Sequence, residues 1–412
     1  NVTAAPTASN QAVCAGSTIS TLSASGAALK WYLTPTGGIA LASLAVVAPN
    51  TYYVSQTVTT CESVRTAIIV TLNPVPTVNI QANAVICANK ITPITATGTA
   101  DTYTWTSTVS NSLFTDAGAT VAYIPGTNAS TIYLRTASTA TITAIGTITA
   151  TTCATSVATE QTLSIAITTY NGAYNNGLPD GTKGVIFSSG NINLSSNLNA
   201  CSCTINGGTV TVNSGVNFNV VNAISIISGS LIFENGSSLT QETNVANIGN
   251  IIYKRNTAAM NNNFDFTYWG SPVANQTLGG IWMSVNSNDT FYSWTSSTNT
   301  WTPRSAANTM ASAIGYIARA RTGTNGIDFN NGNYTVAVSG AGGFNDNLLA
   351  NPYPSALDIV AFKLDLDNTS RLTGNFYFWT HTTAIASNTY NASDYAIFNV
   401  ALNASVTTSG TP

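Results

Sequence analysis

An all-β fold is expected: tandem immunoglobulin-like sandwiches, then a short β-solenoid-like segment, then a larger β-sandwich. Three observations lead there. Thr, Ser, Asn, Ala and Gly dominate the 412 residues, and only 7% are charged. Short runs such as Thr139 to Thr149 alternate Thr with Ala and Ile, the period-two pattern of a half-buried strand. The order Cys…Trp…Cys occurs twice near the start, as in sandwiches whose bridge is packed by an indole.

Residues 1–74 fit one immunoglobulin-like domain. Cys14 precedes a strand at Ser17 to Leu22, Lys30-Trp31-Tyr32-Leu33 is a second, and Thr51 to Gln56 alternates before Cys61. Trp31 is expected in the core, beside a Cys14–Cys61 bridge. Pro74-Val75-Pro76 makes a stiff connection. Residues 75–168 repeat the plan at wider spacing, with Cys87, Trp105, Tyr123 and Cys153, so a Cys87–Cys153 bridge is expected.

Residues 169–249 change texture. Gly184 to Phe187, Ile192 to Leu194, Cys203 to Ile205, Thr209 to Val212, Phe218 to Val221, Ile224 to Ile227 and Leu231 to Phe233 are short apolar runs bounded by Asn, Gly or Ser. They come closer together than the roughly 8–12-residue rhythm of a sandwich, which favours a few coils of parallel β-solenoid over a small stack of sheets. Asn at the corners would suit left-handed backbone. Cys201 and Cys203 admit a strained local bridge, two buried thiols, or a redox or intermolecular thiol. Residues 250–412 form an aromatic-rich β-sandwich. Its one well-signalled helix begins after Ser355, which is expected as N-cap with Asp358 three residues on.

Six cysteines in a chain of this composition favour disulfides and an oxidising compartment. Zinc is the rival reading, but neither of the first two cysteine pairs has a His or a second local Cys pair beside it. The 12 Lys and Arg are scattered against 15 Asp and Glu, for a net charge of −3, so no basic face for nucleic acid emerges. No apolar run reaches about 18 residues, so no transmembrane helix is expected. The opening Asn1-Val2-Thr3 lacks a leader pattern, as in a mature or trimmed chain.

Catalytic chemistry finds little to work with. His381, the single histidine, has no nucleophile motif beside it and reads as structural. Asp358, Asp365 and Asp367 form the closest acidic group of the last domain, without EF-hand spacing. No phosphate-binding glycine loop occurs. No catalytic, cofactor-binding or metal-ligating residue is therefore assigned. Trp282, Tyr292, Trp294 and Trp301 are the candidate contact or glycan aromatics, with core packing as the alternative.

A set of motifs in residues 175–400 carries a family resemblance: Ser238-Leu239-Thr240-Gln241, Tyr253-Lys254-Arg255, Tyr268-Trp269-Gly270-Ser271-Pro272-Val273, Gly315-Tyr316-Ile317-Ala318-Arg319-Ala320, Leu349-Ala350-Asn351-Pro352-Tyr353-Pro354-Ser355, Phe376-Tyr377-Phe378-Trp379-Thr380-His381 and Asp394-Tyr395-Ala396-Ile397. Their order resembles the region that precedes the C-terminal sorting domain in surface proteins exported by the type IX secretion system of gliding bacteria. The resemblance implies passage through that export machinery, an extracellular or cell-surface location, and further chain beyond residue 412. It implies an architecture and a route, not a reaction.

The expected role is that of an extracellular structural protein, an adhesin stalk or self-assembling filament subunit. Its partners would be further copies of itself, in a homopolymer, or a surface ligand such as a glycan. Low charge weakens repulsion between copies. The alternative is a carbohydrate-binding appendage of a large secreted hydrolase.

Overall fold

The computed structural model describes residues 3–155, 157–249, 251–256, 266–281, 290–318, 322–326, 328–329, 346–380, 394–402 and 404–407. The chain forms two compact units, Asn1–Ile165 and Ala166–Pro412.

In the first unit, β1 (Gln11–Cys14), β2 (Lys30–Tyr32), β3 (Asn50–Ser55), the hairpin of β4 (Thr57–Val58) and β5 (Cys61–Glu62), and β6 (Thr66–Asn73) follow one another. The main sheet has the order β1-β6-β3-β2, with β1 parallel to β6. Alternation along β3 and β6 turns Tyr52, Val54, Ile68 and Val70 inward, where they meet Trp31, Ile19 and Val47. The second module runs through β7 (Val78–Gln81), β8 (Val85–Ile86), β9 (Thr92–Gly98), β10 (Thr102–Ser107), β11 (Leu113–Phe114), β12 (Thr131–Leu134), β13 (Ala140–Ile148), β14 (Cys153–Ala154) and β15 (Thr159–Ile165). Two sheets, β10-β13-β15-β8 and β11-β12-β9-β7, enclose Trp105, Ile94, Ile132, Leu134 and Ile142. The Trp105 indole N–H donates to the carbonyl of Ala129 at 2.7 Å, so its polar edge is satisfied inside the core.

The cysteine pairing differs from the expected Cys14–Cys61 and Cys87–Cys153. Cys14 is bridged to Cys153, with Cα atoms 5.5 Å apart, and Cys61 is free and exposed. The reason lies in strand length. Cys14 stands opposite Asn73 at one end of β6, whereas Cys61 lies in the hairpin beyond Thr66 at the other end. Eight residues of β6 hold those ends about 23 Å apart, far beyond the roughly 7 Å limit for a disulfide. In the second module Cys153 pairs with Ile148, while Cys87 follows Ile86, which pairs with Ile165 near the Ala140 end of the same long β13. The Cys14–Cys153 bridge therefore ties the first module to the second instead of stapling one sandwich. Cys87 and Cys201 are disulfide-bonded as well. The local Cys201–Cys203 bridge is not made: the Cys203 thiol is free in the solenoid core, and burial pushes its pKa up.

The second unit opens with the solenoid. Its strands are β16 (Ile167–Tyr170), β17 (Gly184–Phe187), β18 (Asn191–Leu194), β19 (Leu198–Ala200), β20 (Cys203–Ile205), β21 (Thr209–Val212), β22 (Asn217–Val220), β23 (Ile224–Ile226), β24 (Ser230–Phe233), β25 (Ser238–Gln241) and β26 (Ile251–Asn256). They stack in parallel as three sheets, β16-β17-β20-β23, β18-β21-β24-β26 and β19-β22-β25. Asn191 pairs with Thr209, Thr209 with Ser230, and Leu231 with Ile251, so one coil takes roughly 20 residues. This register stacks like on like inside: Leu194, Val212, Phe233 and Tyr253 form one column, and Leu198, Phe218 and Leu239 another.

Glycine, rather than the expected asparagine, takes the left-handed corners. Gly208 has φ +72°, and a Cβ there would meet the Gly190 carbonyl oxygen at 1.7 Å. The asparagines sit on the outer strand face and bond along the stack: Asn219 donates from Nδ2 to Asn199 Oδ1 at 2.8 Å, and Thr240 donates to Asn219 Oδ1.

After the solenoid come β27 (Thr267–Trp269), β28 (Val273–Ala274), β29 (Phe291–Thr295), β30 (Thr300–Arg304), β31 (Tyr316–Ala318), β32 (Thr322–Gly326), β33 (Asp328–Phe329), α1 (Ile359–Leu364), α2 (Leu366–Thr369), β34 (Asn375–Trp379), β35 (Tyr395–Asn399) and β36 (Ala404–Thr407). They make the sheets β27-β31-β29-β30 and β34-β35-β36 and the pair β28-β33, and β32 adds antiparallel to β26. The helix begins later than expected. Asp358, not Ser355, is its cap, with Oδ1 accepting from Val360 N at 2.9 Å and Ala361 N at 3.0 Å. Asp365 caps α2 through Asp367 N, which gives two of the grouped acids structural roles. Among the described residues no helix is long and apolar enough to cross a membrane.

A thiol titration checks the pairing. The native protein is expected to expose one reactive thiol, Cys61, and to release a second, Cys203, only in denaturant. A blocked Cys61 or a reactive Cys14 would contradict this arrangement.

Candidate binding cleft

The sheet β27-β31-β29-β30 has two unlike faces, set by the two-residue period. Trp269, Phe291, Tyr316 and Ala318 point inward onto Leu278, Ile281 and Met310. Tyr268 lies on the opposite face and is met by Trp379 and Tyr395 from the sheet of β34 and β35. Ring centroids lie 5.5 Å apart for Tyr268 and Trp379 and 5.0 Å for Trp379 and Tyr395. The hydroxyls of Tyr268 and Tyr395 share a hydrogen bond of 2.7 Å.

The segment 348–354 threads between these pieces. Gly315 N donates to Leu348 O at 3.1 Å and Ala350 N to Ala313 O at 3.0 Å. Such close passage requires missing side chains. A Cβ on Gly270 would lie 2.1 Å from Ala350 Cβ, and one on Gly315 would lie 2.5 Å from Leu348 Cγ. Asn351 then closes the elbow, its Oδ1 accepting from Tyr353 N at 3.0 Å and its Nδ2 donating to Ser355 O at 2.6 Å. Leu239 N donates to Pro354 O at 2.8 Å, which fastens the elbow to the solenoid strand β25. Arg255 stacks over the Tyr253 ring at 3.8 Å, bonds its hydroxyl, and donates to Ser237 O at 2.5 Å. Burial raises the Tyr253 phenol, with Arg255 pulling the other way, and burial lowers Arg255. Thr380 N donates to Asp394 O at 2.7 Å. Described residues of all seven motifs that carry the resemblance thus meet in one place.

They border a cleft of about 1880 Å³, lined among others by Tyr253, Arg255, Tyr268, Trp301, Leu349, Tyr377 and Tyr395. That volume exceeds the roughly 300–1,000 Å³ usual for small-molecule pockets. Among the described residues its charged lining is Arg255, Arg371 and Asp346. A glycosidase needs two carboxylates within about 5–9.5 Å of each other, and among the described residues Asp346 is the one acid facing the cleft. The described residues also hold no group of three or more His, Cys, Asp or Glu placed to bind a metal ion.

The four candidate aromatics are only partly assembled. Trp294 and Trp301 are cross-strand partners with centroids 5.1 Å apart at 65°, and Trp294 donates its indole N–H to Asp346 O at 2.9 Å. Tyr292 packs against Phe266 instead, at 5.8 Å, and does not line the cleft. Trp282 and His381 lie outside the described residues. The edge-on Trp pair is not the coplanar platform that sugar stacking would use. Arg255, Arg371 and Tyr377 had no signal as a site in the sequence, apart from the motifs that contain Arg255 and Tyr377.

A family model described as Domain of unknown function (DUF8693) matches residues 168–411, and one described as Ig-like domain CHU_C associated matches residues 4–74. No curated protein matches the chain.

Because Gly270 and Ala350 touch at the meeting point, Gly270→Val is expected to lower the stability of the second unit by about 2–4 kcal/mol in urea unfolding. A change below about 0.5 kcal/mol would contradict the close packing described.

Proposed function

We propose a structural role for this chain, which belongs to the family described as Domain of unknown function (DUF8693). It acts outside the cell as a building element of a bacterial surface, an adhesin stalk or a filament subunit, after export by the type IX secretion machinery. For this purpose the chain is divided into residues 1–74, 75–168, 169–249 and 250–412, with the solenoid's first strand, β16, starting at Ile167 and its last, β26, lying at Ile251–Asn256, past the bounds of the third part.

One observation carries the reading: where the motifs of the family resemblance meet, the described residues at the junctions are spent on packing against one another. Gly270 and Gly315 admit a neighbouring strand, Asn351 closes a turn, and Tyr268, Trp379 and Tyr395 fill the contact. The immunoglobulin-like match, the disulfides and the low charge support an oxidising, extracellular setting. A second reading, a carbohydrate-binding appendage, rests on Trp301 alone, which is 36% exposed, since its edge-on packing with Trp294 makes no paired platform.

Antibodies against residues 1–165 are expected to label intact producing cells, with negative-stain images showing filaments or rods. Labelling only after permeabilisation would overturn the location. Strong saccharide binding abolished by Trp301→Ala, with no assembly seen, would favour the appendage.

A further inference from the structure

We infer that the cleft beside β34 accepts an extended strand from a second copy of this chain. Such docking presupposes the self-association proposed above and gives it a place.

Among the described residues strand β34 is an edge. Its partner among the described residues is β35 alone. Val400 N donates to Gly374 O, and Thr380 N to Asp394 O, at the two ends of that ladder. The alternation of antiparallel bonding then turns Phe376 and Phe378 towards β35 and leaves the backbone N–H and C=O of Asn375 and Tyr377 facing away. Edge strands are ordinarily protected by a charge, a proline or a bulge. Asn375-Phe376-Tyr377-Phe378-Trp379 has none of these. Tyr377 is 54% and Phe378 49% exposed.

The open edge does not face bulk solvent alone. Every residue of β34 lines the cleft, with Tyr268, Trp301 and Leu349 among its other walls. Five residues of strand present a track about 17 Å long, and a space of about 1880 Å³ suits a polymer better than a small ligand. Alternating amide donors and carbonyl acceptors match a polypeptide main chain, which adds as a further strand and places every second side chain in the cleft. A saccharide chain has no such alternation. Charge favours another copy as the source. Among the described lining residues, two guanidinium groups, Arg255 and Arg371, stand against one carboxylate, Asp346, so a strand from this chain, whose net charge is −3, meets a local excess of positive charge.

The test uses the full chain in sedimentation velocity up to about 100 µM, with hydrogen exchange on the same samples. The wild type is expected to associate and to protect the Tyr377 amide as it does so. The Tyr377 N–H makes no bond to β35, so Tyr377→Pro removes only the outward donor. Tyr377→Lys places a charge on the edge. Both are expected to weaken association at least about tenfold with an unchanged unfolding midpoint. If the proline variant fails to fold, the lysine variant decides.

Association that survives Tyr377→Lys, or that leaves the Tyr377 amide unprotected, would remove this site and leave the structural role standing. A wild type that stays monomeric throughout would remove both the site and the filament reading. A saccharide from a glycan array that binds the wild type but not Tyr377→Lys, without self-association, would reassign the cleft to carbohydrate.

Discussion

Ala350 reaches its place because residue 270 has no side chain: a Cβ on Gly270 would stand 2.1 Å from the Cβ of Ala350. The segment from Leu348 to Pro354 follows from that approach. It bonds to residues 313 and 315 on one side and to Leu239 of the solenoid on the other. The Tyr268, Trp379 and Tyr395 cluster forms beside it, and β34 is held next to the cleft by the same rings. Removing the glycine would disturb the sheet of β27, the elbow and the edge strand together, since each is positioned by the others.

The first unit depends on a different constraint. Long strands keep the cysteines of each module at opposite ends, so neither module can bridge itself as an antibody domain does. Cys14 meets Cys153 of the next module instead, 139 residues along the chain. A covalent tie across the Pro74-Val75-Pro76 connection restrains bending between modules. Each module is left to rely on its own core around Trp31 or Trp105.

Much of the fold was legible because strands advertise themselves locally. Alternation in Thr51 to Gln56 and the closely spaced runs after residue 184 identify sandwich and solenoid without tertiary knowledge. What could not be read was pairing over distance. Cys14 and Cys61 look like partners in sequence because spacing says nothing about which end of a strand each occupies. Asn is plentiful near the solenoid corners, yet at Gly208 the backbone of Gly190 comes too close for any Cβ. Asp358 rather than Ser355 caps the helix: its carboxylate takes the Val360 and Ala361 amides, while the Ser355 carbonyl is engaged by Asn351. For the cleft, the motifs contain lining residues such as Arg255, Tyr268 and Tyr377, none of which the sequence singled out as a site. Their convergence depends on contacts between segments more than a hundred residues apart, such as Tyr268 with Tyr395, and no local pattern encodes those.

Native-state hydrogen exchange on the full chain addresses most directly whether the motifs form one packed body. The amides of Leu239, Gly315, Ala350 and Thr380 each donate across a motif junction. If the junctions open as one unit, these four exchange with a common free energy, and Gly270→Val lowers it for all of them alike. Ala350 and Thr380 exchanging at loop rates while Leu239 stays protected, or a Gly270→Val effect confined to one amide, would show separate pieces that happen to lie side by side.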